Sequence, residues 1–209
     1  MSTSYPVKLA VDYPDRELNR ISTFFRIFAA IPILFLLGAV SSSSFSSSNG
    51  SNTATVAVGA GGLLVFGPFL MILFRLKYPR WWFDWNLELM RFMLRVGIYL
   101  ALMDDNYPST DNEQAVHLDI KYPNATEELN RWLPLVKWFF AIPHYFVLVF
   151  LNIASVVVVI IAWFNILFTG HYPKSLFDFM VKVVRWNTYV INYAFILTTD
   201  KYPPFSFSD

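Results

Sequence analysis

A chain of 209 residues with 56% hydrophobic, 19% aromatic and only 15% charged residues is far more apolar than a water-soluble domain, in which about a quarter of the residues carry charge. A formal net charge of +1 conceals that the basic residues are sorted by position, and the lack of cysteine excludes disulfides, thiol nucleophiles and thiolate metal sites. All sixteen Lys and Arg residues lie outside two blocks, Ile27 to Phe74 and Trp138 to Pro173, which also hold no Asp or Glu.

In chain order, the first element is an alternation. Val7, Leu9, Val11 and Tyr13 share one face, which predicts a short strand. An apolar segment from about Phe24 to Val40 follows and is long enough for a first crossing, with Arg26 at its edge reaching back to the headgroups and Pro32 making a kink or a wider turn. Residues 41–55, where serine dominates, predict a hydrated low-complexity loop. The return crossing runs from about Val56 to Phe74. Residues 79–103 have another character: Arg80, Asp84, Glu88, Arg91 and Arg95 recur every three or four positions among Trp, Phe, Leu and Met, the pattern of a helix lying in the interfacial plane. Trp81, Trp82 and Trp85 suit that depth.

The second half repeats this order. Val116 to Pro123 answers Val7 to Pro14; Leu129-Asn130-Arg131 answers Leu18-Asn19-Arg20; Lys137 answers Arg26; and Ala141-Ile142-Pro143 answers Ala30-Ile31-Pro32. Beyond the apolar block, Tyr172-Pro173, Phe177-Asp178 and Arg185 answer Tyr78-Pro79, Phe83-Asp84 and Arg91. Two units follow, 1–108 and 109–209. The second is predicted to cross at Trp138 to Leu151, turn near Asn152, return over Ile153 to Phe168, and close with an interfacial helix over 173–197 that carries Trp186. The expected fold is an all-α membrane protein with four transmembrane helices in two tandem hairpins, each preceded by a short β-strand and followed by an amphipathic interfacial helix. Four basic residues precede the first block, eight separate the blocks and four follow the second. Positive loops stay inside, so both termini are expected in the cytoplasm and the chain in the inner membrane as a multi-pass protein.

The expected interfacial anchors are Arg20, Arg26, Arg80, Trp81, Trp82, Trp85, Arg91, Arg131, Lys137, Arg185 and Trp186. His144 is the one histidine placed inside a predicted crossing, where an imidazole serves as a haem or chlorin ligand or, more ordinarily, as a hydrogen-bonded structural group. Asp104-Asp105 and Glu127-Glu128 read as solvated surface charge. Asp84 and Asp178 each stand four residues from a basic partner, Arg80 and Lys174, as an i,i+4 pair would. No phosphate loop, nucleophile elbow or metal spacing is present, so no cofactor, metal or catalytic residue is predicted, and lipid is the ligand class the composition allows.

The run Leu167-Phe-Thr-Gly-His-Tyr-Pro-Lys-Ser-Leu-Phe-Asp-Phe179, with Arg185-Trp186, Ala141-Ile-Pro-His144 and Leu197-Thr-Thr-Asp-Lys-Tyr-Pro-Pro-Phe205, resembles a mostly bacterial membrane family catalogued as domain of unknown function 4389. The resemblance extends over nearly the whole chain, with the first unit as a diverged copy that has Arg75-Leu76-Lys77-Tyr78-Pro79 in place of Thr-Gly-His-Tyr-Pro. It implies a polytopic bacterial membrane protein and brings no activity with it. The functional expectation is a non-enzymatic accessory or scaffold subunit of a larger membrane complex, with membrane lipids and other membrane-protein subunits as partners and no nucleic acid. The alternatives are a lipid-binding or membrane-shaping protein and, behind it, a small transporter or channel.

Overall fold

The computed structural model describes residues 5–41, 44–49, 52–57, 60–110, 112 and 114–206. The elements run β1 (Val7–Val11), α1 (Arg20–Ser41), β2 (Ser44–Asn49), β3 (Asn52–Ala57), α2 (Ala60–Arg75), α3 (Arg80–Leu100), β4 (Val116–Ile120), α4 (Pro134–Phe140), α5 (Ile142–Thr169) and α6 (Lys174–Ile191), and a π-helical turn over Asn192–Ile196 extends α6.

Strands β1 and β4 form where alternation predicts them. They pair antiparallel, with Leu9 opposite Leu118, Val7 opposite Ile120 and Val11 opposite Val116. Val7, Leu9, Val116, Leu118 and Ile120 are buried, while Lys8, His117 and Asp119 face solvent. Such a ribbon is marginal alone. Here α3 and α6 pack beneath it, and each sends one arginine to a strand carbonyl. Arg91 donates from Nε and Nη2 to the Leu118 oxygen at 3.1 and 2.9 Å, and Arg185 donates from Nε to the Leu9 oxygen at 3.2 Å.

On the far side of α6 lies α5. Arg185 bonds the ribbon, whereas Asn187 exchanges amide hydrogen bonds with Asn152 of α5 at 3.1 and 3.4 Å. Two residues are about 200° apart on a helix, so ribbon and α5 occupy opposite faces of α6. On the other half, Ala30 and Ile33 of α1 pack with Phe92, Val96 and Tyr99 of α3. The result is three layers, with the ribbon outermost, α3 and α6 in the middle, and α1 and α5 beneath. The main core gathers the inner face of the ribbon with Tyr78, Phe83, Tyr172 and Phe177. Two tyrosines stitch it crosswise: Tyr13 donates to the Tyr172 carbonyl at 2.6 Å and Tyr122 to the Tyr78 carbonyl at 2.5 Å.

Four transmembrane helices in two hairpins do not form. Among the described residues one helix, α5, is long and apolar enough to cross a membrane. It passes through Asn152 without a turn, because nothing between Phe146 and Thr169 breaks a helix: no Gly or Pro interrupts that run, and the Asn152 amide finds its partner on α6. Pro143 falls in the first turn of α5, where a missing N–H costs nothing, so the chain breaks before it, at Ala141, between α4 and α5. In the first unit α2 has 16 residues, about 24 Å of helix against a hydrocarbon core of roughly 30 Å. The all-α description fails as well, because two sheets are present. The serine-rich stretch expected as a loop pairs as an antiparallel hairpin, with Phe45 opposite Val56 and Asn49 opposite Asn52; Thr53, Thr55 and Val56 are residues that favour a pleated strand.

Packing of α2 on α3 depends on a missing side chain. A Cβ at Gly67 would stand 2.2 Å from the Trp82 ring, closer than any real contact. Gly67→Ala is expected to displace that indole and to cost about 1–3 kcal/mol by overpacking, read as a lower midpoint of chemical unfolding in mild detergent together with a shifted tryptophan emission.

Candidate membrane interface

The expected anchors divide into three groups. Arg20, Arg80, Trp81, Trp85 and Arg131 are exposed, with the Arg20 guanidinium beside Gly170 and Arg80 5.5 Å from the centre of the Tyr122 ring. Arg91, Arg185 and Trp82 are half-buried within the layers. Arg26, Lys137 and Trp186 are interior, and for these three an anchoring role at the surface is corrected.

Arg26 does not reach back to headgroups. It is 2% exposed, pairs with Asp105, donates from Nη1 to the carbonyls of Tyr99 and Asp104 at 2.9 Å each, and lies 4.6 Å from the centre of the Tyr99 ring. Lys137 is 0% exposed and repeats the arrangement. Its Nζ stands 2.7 Å from Asp200 Oδ1, donates to the Thr199 carbonyl at 2.6 Å, and lies 5.2 Å from the Tyr193 ring centre. The same two carboxylates tie down helix starts. Asp105 accepts from the Asn19 N–H and Asp200 from the Asn130 N–H, both at 2.6 Å. The Asn19 side chain then caps Ile21 and Ser22, satisfying N–H groups that the start of α1 leaves open, and that of Asn130 accepts from the Trp132 N–H in the turn ahead of α4.

Reading Asp104-Asp105 as solvated charge missed this. The usable signal was the match between Asp105, two residues before Tyr107-Pro108, and Asp200, two residues before Tyr202-Pro203. Arg80 turns to Tyr122, and the ion pair on that face of α3 runs from Arg91 to Glu88 at 2.6 Å.

His144 is fully buried. Its Nδ1 accepts from the Trp186 indole N–H at 3.0 Å, which places the proton of the neutral ring on Nε2, and the ring stacks on Phe205 at 3.9 Å. Tyr202 completes the cluster and donates to the Phe140 carbonyl at 3.1 Å, so the chain after the π-helical turn folds back over the start of α5. Sequence spacing could not pair His144 with Trp186, which lies on a different helix.

With no charged residue in the helix, the outer face of α5 is bare hydrocarbon. Phe146, Val149, Ile153, Val157, Ile160, Phe164 and Phe168 are all exposed and follow helical spacing along about 33 Å. Ile21, Phe24, Phe28, Ile31 and Phe35 make a second exposed stripe on α1. Contiguous apolar surface of this extent marks an interaction face.

The two clamps differ in a testable way. Burial holds the Lys137 amine below its ordinary pKa in spite of Asp200, whereas a guanidinium keeps its charge at any accessible pH. Asp105→Ala therefore strands a charge that cannot be discharged, and is expected to cost about 3–5 kcal/mol at every pH where the fold survives. Asp200→Ala should cost less, and less still as pH rises and Lys137 gives up its proton; unfolding titrations of both variants between pH 6 and about 9 compare them.

At higher pH the tyrosines decide. Burial pushes the Tyr78 and Tyr172 hydroxyls well above the ordinary value, so the folded state keeps them neutral. Their contribution is fully present below the unfolded value of about 10 and is lost as pH climbs past it. Tyrosinate absorbance from these residues should appear together with alkaline unfolding and not before it.

No curated protein and no solved structure matches the chain. The family comparison falls on the second unit alone rather than on nearly the whole length: residues 132–206, which carry α4, α5, α6 and the folded-back tail, match the family model described as Domain of unknown function (DUF4389).

Proposed function

We propose that the protein is a membrane-seated scaffold or accessory subunit, built from two intertwined copies of one unit, which lies in the face of a bilayer and presents its ribbon to a partner in water. The observation that carries this reading is the exposed apolar stripe of α5 opposite a charged ribbon. The first half supplies a parallel feature in the stripe on α1.

Orientation follows from charge. α6 runs back along α5, since Ala141 near the start of α5 packs with Tyr193 and Ala194 at the end of α6. Arg185 lies eleven residues beyond Lys174, about 17 Å along the helix, and there it holds the ribbon through Leu9. Were α5 perpendicular to the bilayer, the exposed Lys8 and Asp119 beside that contact would sit near mid-membrane, where each such charge costs about 2.5–3.5 kcal/mol on the insertion scale. Laid flat, the same body puts the two stripes in the acyl region, α3 and α6 at headgroup depth, and the ribbon in water. Two of the buried charges, Arg26 and Lys137, are spent on the clamps, which supports a structural role for them.

Because the chain has no cysteine, single labels can be introduced without background. Spin labels at Phe146→Cys, Ile153→Cys and Ile160→Cys are expected at one common depth, roughly 5–10 Å below the headgroups, by power-saturation measurements in reconstituted vesicles. A spread of about 20 Å between the first and last, as a perpendicular helix gives, would overturn the flat orientation. Gentle detergent extraction should also retain a stoichiometric protein partner, and a solitary protomer would remove the support for a scaffold.

A further inference from the structure

Between α3 and the ribbon lies a cavity of about 290 Å³, lined among others by Lys8, Arg91, Arg95, His117 and Asp119, that none of the clamps uses. Arg95 is 5% exposed. Its Nη1 donates to the carbonyls of Ser109 and Thr110 at 3.0 and 3.3 Å, its Nε has no acceptor, and it makes no ion pair among the described residues. Every other buried cation here has a carboxylate: Arg26 has Asp105 and Lys137 has Asp200. A guanidinium cannot discharge itself, and a buried charge without a counter-charge is strongly unfavourable.

Among the described residues no carboxylate pairs with Arg95: Glu88 is engaged by Arg91 at 2.6 Å and Asp12 by His117 at 2.9 Å, and Asp119 of the lining stands across the strands from Lys8.

The second unit shows what a purely structural solution looks like. The shift that carries Arg91 to Arg185 carries Arg95 to Tyr189, and Tyr189 packs against Tyr5 with ring centres 4.5 Å apart. On that side an aromatic pair occupies the position; on this side a guanidinium stands beside open space.

We infer that the cavity is a binding site for a phosphate-type oxyanion, a phosphomonoester or phosphodiester group, with Arg95 as its counter-charge and Arg91 and Lys8 as flanking donors. Guanidinium groups match phosphate oxygens in paired hydrogen bonds, and the ammonium adds a point charge. The group has two sources, a soluble phosphate and the headgroup of an anionic lipid. The site stands on the cavity and on Arg95 irrespective of how the body sits in a membrane.

Purified full-length protein in a non-ionic detergent would be titrated with inorganic phosphate and glycerol phosphate by calorimetry, and floated with phosphatidylcholine vesicles with and without phosphatidylglycerol. Saturable binding is expected in at least one arm: phosphate titration alone indicates a soluble ligand, and preferential flotation with phosphatidylglycerol that phosphate competes away indicates a headgroup. Arg95→Gln and Arg95→Tyr should each weaken that binding about tenfold or more, the tyrosine variant reproducing the residue of the second unit, while Lys182→Gln on the exposed side of α6 should leave it unchanged. Phosphate should also protect Arg95 of the unaltered protein from phenylglyoxal, read by peptide mass spectrometry, which needs no variant to fold. No saturable binding and no lipid preference in the native protein would overturn the proposal, as would undiminished binding in a folded Arg95→Tyr or phenylglyoxal modification of Arg95 that phosphate does not slow.

Discussion

Arg26 and Lys137 are each buried within the first two turns of a largely apolar helix, and the chain has to bring a carboxylate to both. Asp105 and Asp200 meet that demand, and much of the architecture follows. Each carboxylate comes just after an amphipathic helix, at a point where the backbone turns through a left-handed residue, Leu102 or Leu197. The end of α3 is thereby tied to the start of α1, and the end of α6 to the start of α4. Left-handed geometry is unfavourable for leucine, and both leucines are buried, so apolar burial offsets the backbone cost at the places where the clamp requires a sharp reversal. The ion pairs are not a large reserve of stability in themselves. Desolvation outweighs Asp200 at Lys137, and a well-packed apolar pair of similar volume often does as well. What the pairs fix is which ends meet.

The second constraint is that the ribbon needs both halves. Each strand's Leu carbonyl is held by the arginine of the helix under it, and each strand is followed by a tyrosine that crosses to the start of the opposite unit's amphipathic helix. Tyr13 meets Phe177 edge-on at 5.0 Å, and Tyr122 meets Phe83 in the same way at 5.2 Å. Neither half could close its core alone, because the inner face of β1 is completed by β4 and the rings that flank each strand belong to the other half.

Periodicity made the strands β1 and β4 and the amphipathic helices α3 and α6 legible, since each is a local pattern with a period of 2 or 3.6. The errors share another cause. A charge-free run tells that a segment is buried or lipid-facing, and does not tell where it turns: Asn152 looked like a loop tip because a polar residue in the middle of an apolar run has either to reach water or to find a partner, and the partner, Asn187, was on α6. Arg26 looked able to reach headgroups for the same reason, and Asp105, in a stretch rich in Asp and Asn, looked solvated. The buried pairing of His144 with Trp186 joins residues of different helices. In each case the deciding atom lay far away in sequence, where no window could find it.

A stripe of charge on an apolar helix has two physical meanings, and this fold separates them. On a lone interfacial helix the stripe faces water, and the apolar remainder faces acyl chains. On α3 and α6 part of the stripe faces inward: Arg91 and Arg185 bond the ribbon, and Arg95 lies against the 109–110 backbone. The ribbon then supplies the exposed charge, through Lys8, His117 and Asp119, and the exposed apolar surface passes to α1 and α5. Amphipathicity has become a property of the whole body rather than of one helix. That transfer is why the helix with the longest apolar stripe is also the one that needs a charged layer behind it, and why crossing a bilayer end-on would force that layer into hydrocarbon with it.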